Sequence, residues 1–327
     1  MKKVQRSILF LILIFFISEQ KICAQQLPQF AYGSVNPEFY NTAVSGIAKT
    51  INASAIGRTQ WVNITGHPIS QALIFSSYIQ KLRGGVGLSI MNNQQGVQRN
   101  TYAMIGYSYI IETKKSRIGI GARAGIIQSS LNGSELKSPE GNYYSNIFDH
   151  NDPFLPLNLV SSSTPDLSAG IFLLNKHISI GVAGAHLLQS KINYQLPSNN
   201  LQLNLERNLS ASVSININKG GPLFFKPSIF AKYDFNNLQS ETSLLIGYKK
   251  IGWIGFGYRG LSTNHSDALI GFIGLRANDN LLIGYAYEYS LSKLSSANDG
   301  SHELMLNYSI SLTRDAKPDK IIFTPRF

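Results

Sequence analysis

The sequence predicts a single antiparallel β-barrel of about 14 strands that spans an outer membrane. Three observations support this prediction. Charged residues make up only 14% of the 327 residues, against roughly 25% in an ordinary soluble domain. The mean hydropathy of −0.03 is too low for a protein built of membrane-spanning helices, each of which needs about 20 apolar residues. After residue 47, apolar and polar residues alternate with a period of two, as in strands with one face toward lipid.

The first 24 residues have the layout of a secretory signal peptide. Three basic residues among the first six precede an apolar run from Ile8 to Ile17. An uncleaved helical anchor is the less favoured alternative, because this run is shorter than the ~20 residues that span a bilayer. We expect cleavage after Ala24, which removes Cys23, the one cysteine. The formal net charge of +11 would suggest nucleic acid as a partner in the cytoplasm, but export argues against it.

The segment 25–46 is irregular and rich in Gln, Pro, Asn and aromatic residues. We predict that it folds into or beneath the barrel lumen. The aromatic residues Phe30, Tyr32, Phe39 and Tyr40 need shelter from water, and inward polar side chains could hydrogen-bond the backbone of the segment. A flexible leader is the alternative.

Alternation predicts the barrel strands within 47–313. In 117–126, one face carries Ile and Ala and the other carries Arg117, Arg123 and three glycines, which suit a wet or plugged lumen. The alternation is longest in 203–217 and recurs in 302–312. The candidate strands lie near 47–56, 70–79, 83–91, 99–111, 117–131, 166–174, 178–189, 200–217, 223–235, 241–249, 251–259, 267–276, 280–291 and 302–313.

The predicted connections alternate between short and long, as periplasmic turns and outer loops do in such barrels. The longest predicted loops are 57–69 and 132–165, and 314–327 forms a periplasmic tail. A soluble β-sandwich would also show alternation, but with more charge on its solvent face. Tyrosines near predicted strand ends, such as Tyr109 and Tyr248, favour the barrel, because aromatic rings settle at the membrane interface.

No pattern in the sequence predicts an enzyme, a cofactor or a metal site. The six histidines are scattered without an HExxH motif, and no G-x-S-x-G motif occurs. The acidic cluster 149–152 lacks the glycine and the distal glutamate of a calcium loop. The glycines of 84–87 precede neither the Lys-Ser pair nor the helix of a phosphate loop, so we expect them to face a crowded lumen or to ease strand curvature.

Several short motifs, in order along the chain, resemble the PorP/SprF family of type IX secretion proteins from the Bacteroidetes. The resemblance covers nearly the whole mature chain. The motifs are Gln29-Phe30, Asn36-Pro37, Asn41-Thr42-Ala43, Arg58-Thr59-Gln60-Trp61 with Gly66, Pro68 and Gln71, Gly84 to Leu88, His186-Leu187, Lys226-Pro227-Ser228 and Gly300-Ser301-His302-Glu303.

The resemblance implies an outer-membrane barrel that works with the type IX secretion and gliding apparatus. Family members are thought to help export or retain large surface adhesins with a C-terminal sorting domain, and to contact periplasmic ring or motor components. The residues alone leave two alternatives open. One is a general solute channel, which the glycine-rich and arginine-bearing polar faces permit. The other is a barrel lipid hydrolase with Ser and His on neighbouring strands.

Two sets of residues are candidates for partner binding. Arg58, Gln60 and Trp61, in the first long connection, combine residue types enriched in binding hot spots, although Trp61 could instead anchor in lipid. Basic residues cluster at the predicted periplasmic turns, where they could dock an acidic face of a periplasmic component or lie among lipid headgroups. The strongest members of this set are Lys114, Lys115, Lys249 and Lys250.

Overall fold

A computed structural model describes residues 27–144, 148–196, 199–218, 220–249, 251–262 and 265–312. The predicted signal peptide 1–24 and tail 314–327 lie outside these residues. None of the described helices is long and apolar enough to cross a membrane. The strands are β1 (Thr50–Thr59), β2 (Ile69–Ile79), β3 (Gly84–Gln95), β4 (Gln98–Glu112), β5 (Ser116–Asn132), β6 (Leu159–Asn175), β7 (Ile178–Ala185), β8 (Lys191–Gln195), β9 (Asn200–Asn204), β10 (Asn208–Ile215), β11 (Leu223–Tyr233), β12 (Leu238–Tyr248), β13 (Gly252–Ser262), β14 (His265–Arg276), β15 (Leu281–Ser290) and β16 (Ser301–Ser311).

Fourteen of these strands form one closed antiparallel barrel, which confirms the predicted fold class. Each wall strand pairs with the next wall strand in the chain, and β1 closes the barrel against β16 with Thr50 opposite Ser311 and Thr59 opposite His302. Each wall strand has a paired strand on both sides, so most backbone groups of the wall are paired within the sheet. The remaining strands, β8 and β9, form a separate two-stranded sheet.

The two faces of the wall differ in the way the alternation predicts. Large apolar side chains cover the outer face; Ile105 is 69% exposed and Phe256 is 66% exposed. The inner face carries both apolar and polar side chains, and its polar residues Ser76, Ser108 and Asn307 are buried. An empty lumen would leave these side chains in water, so their burial means that the lumen is filled.

The predicted strands 166–174, 178–189 and 200–217 differ in extent from the structure. The first begins at Leu159, as β6, and the second ends at Ala185, as β7. The structure divides 200–217 into β9, in the separate sheet, and β10, in the wall. Leu205 is buried inside, whereas Leu209 on β10 is exposed on the outer face. The sequence alternates without a break because both pieces have one apolar face. Only one of these faces meets lipid; the other packs against residues inside the barrel.

Connections at the two ends of the barrel differ in length, with one correction. At the short-turn end they include 80–83, 113–115, 176–177, 249–251 and 277–280. At the long-loop end, the longest connections are 133–158 and 186–207. The connection predicted over 92–98 is instead a two-residue turn, since β3 ends at Gln95 and β4 begins at Gln98. Gly96 has a φ of 56° there, a conformation that glycine adopts without strain.

Candidate functional site in the barrel lumen

Residues 27–49, here named the lumen segment, run through the inside of the barrel. The backbone oxygen of Leu27 accepts a hydrogen bond of 2.7 Å from Lys232 Nζ, near the long-loop end of β11. The oxygen of Ile47 accepts one of 3.2 Å from Arg117, near the short-turn end of β5. The segment therefore runs the length of the lumen before it enters β1, through three short 3-10 turns at 31–33, 37–39 and 42–44.

A buried cluster of five charged residues, here named the lumen ion cluster, lies near the long-loop end. Its members come from β1, β12, β13, β15 and β16 and are Arg58, Glu241, Arg259, Glu288 and Glu303. Each side chain is at most 4% exposed. Buried charges are tolerated only when they are paired and hydrogen-bonded, so the members of this cluster depend on one another.

Glu288 is the centre of the lumen ion cluster. Its carboxylate accepts two hydrogen bonds from Arg58, one of them 2.7 Å long, and two from Arg259, at 2.7 and 2.8 Å. Arg259 also donates to Glu241 at 2.8 Å. Bidentate pairs of this kind are the strongest ion pairs in proteins and fix the orientation of both side chains.

Glu303 connects the lumen ion cluster to the lumen segment. Its two carboxylate oxygens accept the backbone N–H groups of Ala31, at 2.8 Å, and Tyr32, at 2.7 Å. Arg58 lies 3.4 Å from the same carboxylate. The cluster contains three carboxylates and two guanidinium groups, so its formal charge is −1. Consecutive backbone N–H groups are good anion ligands, and here the lumen segment itself supplies them.

Further along, the lumen segment is held by hydrogen bonds to the wall. Asn41 donates to the backbone oxygen of Ile171 at 3.0 Å, while its own Oδ1 accepts the N–H of Ala43. Ser108 donates to the oxygen of Ala43 at 3.0 Å. Asn52 donates to the buried carboxylate of Glu38 at 3.0 Å. These polar groups of the segment thus find partners on the inner face of the barrel.

Glycines of β5 let the lumen segment approach the wall. A Cβ atom on Gly119 would lie 2.1 Å from the oxygen of Ala43, and one on Gly121 would lie 2.7 Å from its nitrogen. Real side chains do not approach backbone atoms this closely. The glycine-rich face of 117–126 therefore leaves the space in which the backbone around Ala43 packs against β5. We call this face the seat of the segment.

The four aromatic residues predicted to need shelter are all buried in the lumen. Phe30 packs on Phe39 with 5.5 Å between ring centroids. Tyr32 meets Phe272 edge-on at 5.4 Å, and Tyr40 lies 4.8 Å from Phe230. The largest apolar cluster among the described residues combines these rings with inward side chains of the wall.

The hairpin β8–β9 covers part of the lumen at the long-loop end. Ile192, Tyr194 and Leu205 are buried with the inward residues Tyr102 of β4 and Ile127 of β5. The Tyr194 hydroxyl donates to Ser129 at 2.6 Å, and burial raises the pKa of this phenol. The hairpin is thus fixed to the inner face of β4 and β5.

The structure places the first set of candidate partner-binding residues at the end of β1. Arg58 lies within β1 rather than in the connection, and its side chain is 3% exposed, so it holds the lumen ion cluster together and offers no exposed contact. Gln60 and Trp61 follow the strand and are half-buried. The N–H of Trp61 donates to Ser301 at 3.2 Å. Partner binding by Gln60 and Trp61 stays a prediction.

The second set lies at the short-turn end, as predicted from turn positions. Lys114 and Lys115 are exposed in the turn between β4 and β5. Lys249 is exposed between β12 and β13, with its ammonium 5.1 Å from the centre of the Tyr248 ring. Lys250 lies outside the described residues. Binding of an acidic partner by these lysines stays a prediction.

Sequence reasoning did not single out Glu241, Arg259 and Glu288, although they form most of the lumen ion cluster. One signal could have found them. Each is a charged residue at an inward position of a predicted strand. Arg259 is positive, whereas Glu241 and Glu288 are negative. Residues of opposite charge on the inner faces of neighbouring strands are candidates for internal ion pairs, because a lone charge in a filled lumen would be too costly.

Comparisons with known proteins identify one family and several barrels of similar fold. The family model described as type IX secretion system membrane protein PorP/SprF matches residues 22–308. No curated protein matches the chain. The chain is similar to the toluene transporter TbuX of Ralstonia pickettii, with a TM-score of 0.47 and 12% identity, covering 86% of this chain and 94% of that chain. It is also similar to the toluene transporter TodX of P. putida, with a TM-score of 0.45 and 11% identity, covering 87% and 94%.

Proposed function

We propose a function from one premise: this chain belongs to the PorP/SprF family of type IX secretion system membrane proteins. It is an outer-membrane β-barrel, with the apolar belt of the wall toward lipid. We propose that it assists the export or surface retention of large adhesins with a C-terminal sorting domain, as part of the secretion and gliding apparatus. In this proposal it is a binding and assembly protein and not an enzyme.

The filled lumen is the observation that carries this proposal. A barrel of 14 strands is wide enough to hold more than its own wall side chains, and here the lumen segment fills it. A general solute channel needs a continuous water-filled path, which the buried aromatic rings and the lumen ion cluster oppose. The lumen thus supports an assembly role over a porin-like one.

Deletion of the gene and conductance of the purified barrel together test the proposal. We expect loss of the barrel to reduce the amount of adhesin on the cell surface, and the isolated barrel to show no steady ion conductance in a planar bilayer. Steady conductance combined with normal adhesin display in the deletion strain would favour the solute channel. Release of fatty acid from phospholipid by the purified barrel would favour the lipid hydrolase.

A contact with the periplasmic machinery is the second part of the proposal. Short turns of such barrels face the periplasm, where Lys81, Lys114, Lys115, Lys176 and Lys249 are exposed. Of the carboxylates at this end, Glu112 is already paired with Lys49 at 2.8 Å, and Asp279 is exposed in the turn 277–280. We propose that this basic rim docks an acidic face of a periplasmic secretion or motor component, with an attraction that salt weakens.

Replacing Lys114, Lys115 and Lys249 together by Gln tests the basic rim. We expect about a tenfold loss of co-purification with the periplasmic components at low salt, because complementary charge mainly sets the rate and orientation of encounter. The matched control replaces Lys137, Lys191 and Lys293, three exposed lysines at the opposite end, and should leave co-purification unchanged. Equal co-purification of both variants, in normally assembled barrels, would leave lipid anchoring as the role of the rim.

A further inference from the structure

The hairpin β8–β9 has one strand with a free edge. Strand β8 packs beside β6 of the wall, whereas β9 pairs with β8 and, among the described residues, with no other strand. The hairpin lies at the long-loop end and faces the outside of the cell. Asn200, Gln202 and Asn204 of β9 are exposed, so the edge of β9 is accessible to molecules at the cell surface.

The backbone groups at this edge follow from the hydrogen-bond pattern of the hairpin. Leu196 donates to the oxygen of Asn199, and Leu205 donates to that of Ser190. Bonded and non-bonded pairs alternate along an antiparallel ladder. The bonded pairs in between are therefore Tyr194 with Leu201 and Ile192 with Leu203. The backbone N–H and C=O groups of Asn200, Gln202 and Asn204 therefore point away from β8. They offer three hydrogen-bond donors and three acceptors, at the spacing that a further β-strand would need.

The side chains of β9 also leave a place for a neighbour. Leu201 and Leu203 point to the same face as the buried Ile192 and Tyr194 of β8 but are only half-buried. Asn200, Gln202 and Asn204 point to the exposed face. A strand added beside β9 would cover the remaining apolar surface of the two leucines and keep its other face in water.

The edge of β9 lacks the usual protection against strand addition. Natural proteins protect exposed edges with proline, inward-pointing charges or bulges, and the sequence from Asn200 to Asn204 contains none of these.

We propose that the edge of β9 binds an extended segment of an exported protein, which adds to the hairpin as a third strand. The inference rests on the proposed function, since an exported chain is the partner expected at this side of the membrane. Main-chain hydrogen bonds to Asn200, Gln202 and Asn204 supply affinity, and apolar residues at every second position of the partner cover Leu201 and Leu203. The hairpin is a rigid platform for this addition, because Tyr194 and Leu205 fix it to the wall.

A proline scan of the two strands tests the proposal. Gln202→Pro removes an N–H from the free edge and puts a ring in the path of the added strand. Asn193→Pro is the matched control, since Asn193 is paired with Gln202 and its N–H also points out of the hairpin, but toward the other edge. A photo-reactive residue at Asn204 measures contact with exported protein in intact cells. We expect Gln202→Pro to lower the cross-linked product about tenfold and Asn193→Pro to leave it unchanged, with equal amounts of folded barrel.

Each outcome decides between the proposals. A cross-linked product that contains two copies of the barrel would show that the edge of β9 binds a second barrel and not an exported protein. This result would overturn the inference. Absence of a product, or equal loss with both prolines, in cells where deletion of the barrel reduces adhesin display, would overturn the inference and leave the proposed function in place. Normal adhesin display after deletion would overturn the proposed function itself.

Discussion

Replacing Glu288 by Gln is expected to destabilise the barrel by about 3 to 5 kcal/mol, the cost of breaking a buried ion pair from one side. Glu288 accepts four hydrogen bonds from Arg58 and Arg259, and a neutral amide offers one acceptor atom in place of two. Among the described residues, Glu303 at 3.4 Å is then the one carboxylate that remains as an ion-pair partner of Arg58. Because Glu303 also binds the backbone of Ala31 and Tyr32, we expect the lumen segment to loosen as well.

The midpoint of urea unfolding in phospholipid vesicles measures this loss. The matched control is Glu112→Gln, which removes a carboxylate from an ion pair of similar length with Lys49. That pair is partly exposed, and exposed pairs contribute about 0 to 1 kcal/mol. We expect a large shift for Glu288→Gln and almost none for Glu112→Gln. Equal shifts would mean that the lumen ion cluster does not support the fold.

The sequence predicts the wall of this barrel well because the alternation of apolar and polar residues is visible within each strand. In 117–126 and 302–312, ten or so residues suffice to show which face meets lipid, and the structure confirms both faces. The alternation also predicted that Gly119 and Gly121 face a wet or plugged lumen, and both glycines lie against the lumen segment. Membership of the family, predicted from short motifs, is confirmed over residues 22–308.

The lumen ion cluster could not be predicted in the same way. Arg58 and Glu288 are 230 residues apart in the chain, and alternation gives the face of a charged residue but not the partner that it meets. Arg58 was also placed outside β1, because polar residues at a strand end look the same as those of a loop. The hairpin β8–β9 was missed for a related reason: its apolar face packs inside the barrel, and no local pattern distinguishes this from lipid contact.

Replacing Gly119 and Gly121 together by Val is expected to expel the lumen segment and to open the barrel to ions. A Cβ at position 119 would lie 2.1 Å from the backbone oxygen of Ala43, and one at position 121 would lie within 3.0 Å of backbone atoms of Thr42 and Ala43. The backbone of the lumen segment therefore has to move away from β5. Valine itself suits a strand, so the wall is expected to form. The matched control is Gly271→Val on β14, where a Cβ meets nothing within 4 Å.

Single-channel recording and limited proteolysis follow the two consequences separately. The double variant should show steady conductance and rapid cleavage within 27–49, while the wild type and Gly271→Val show neither, because the wild-type segment is buried along its length. A deletion of 27–44 serves as the second variant and should conduct whether or not the valines fold correctly. If the barrel without residues 27–44 assembles and shows no conductance, a part of the protein other than the lumen segment blocks the lumen. A protected segment in the double variant would instead show that the glycines of β5 are not its seat.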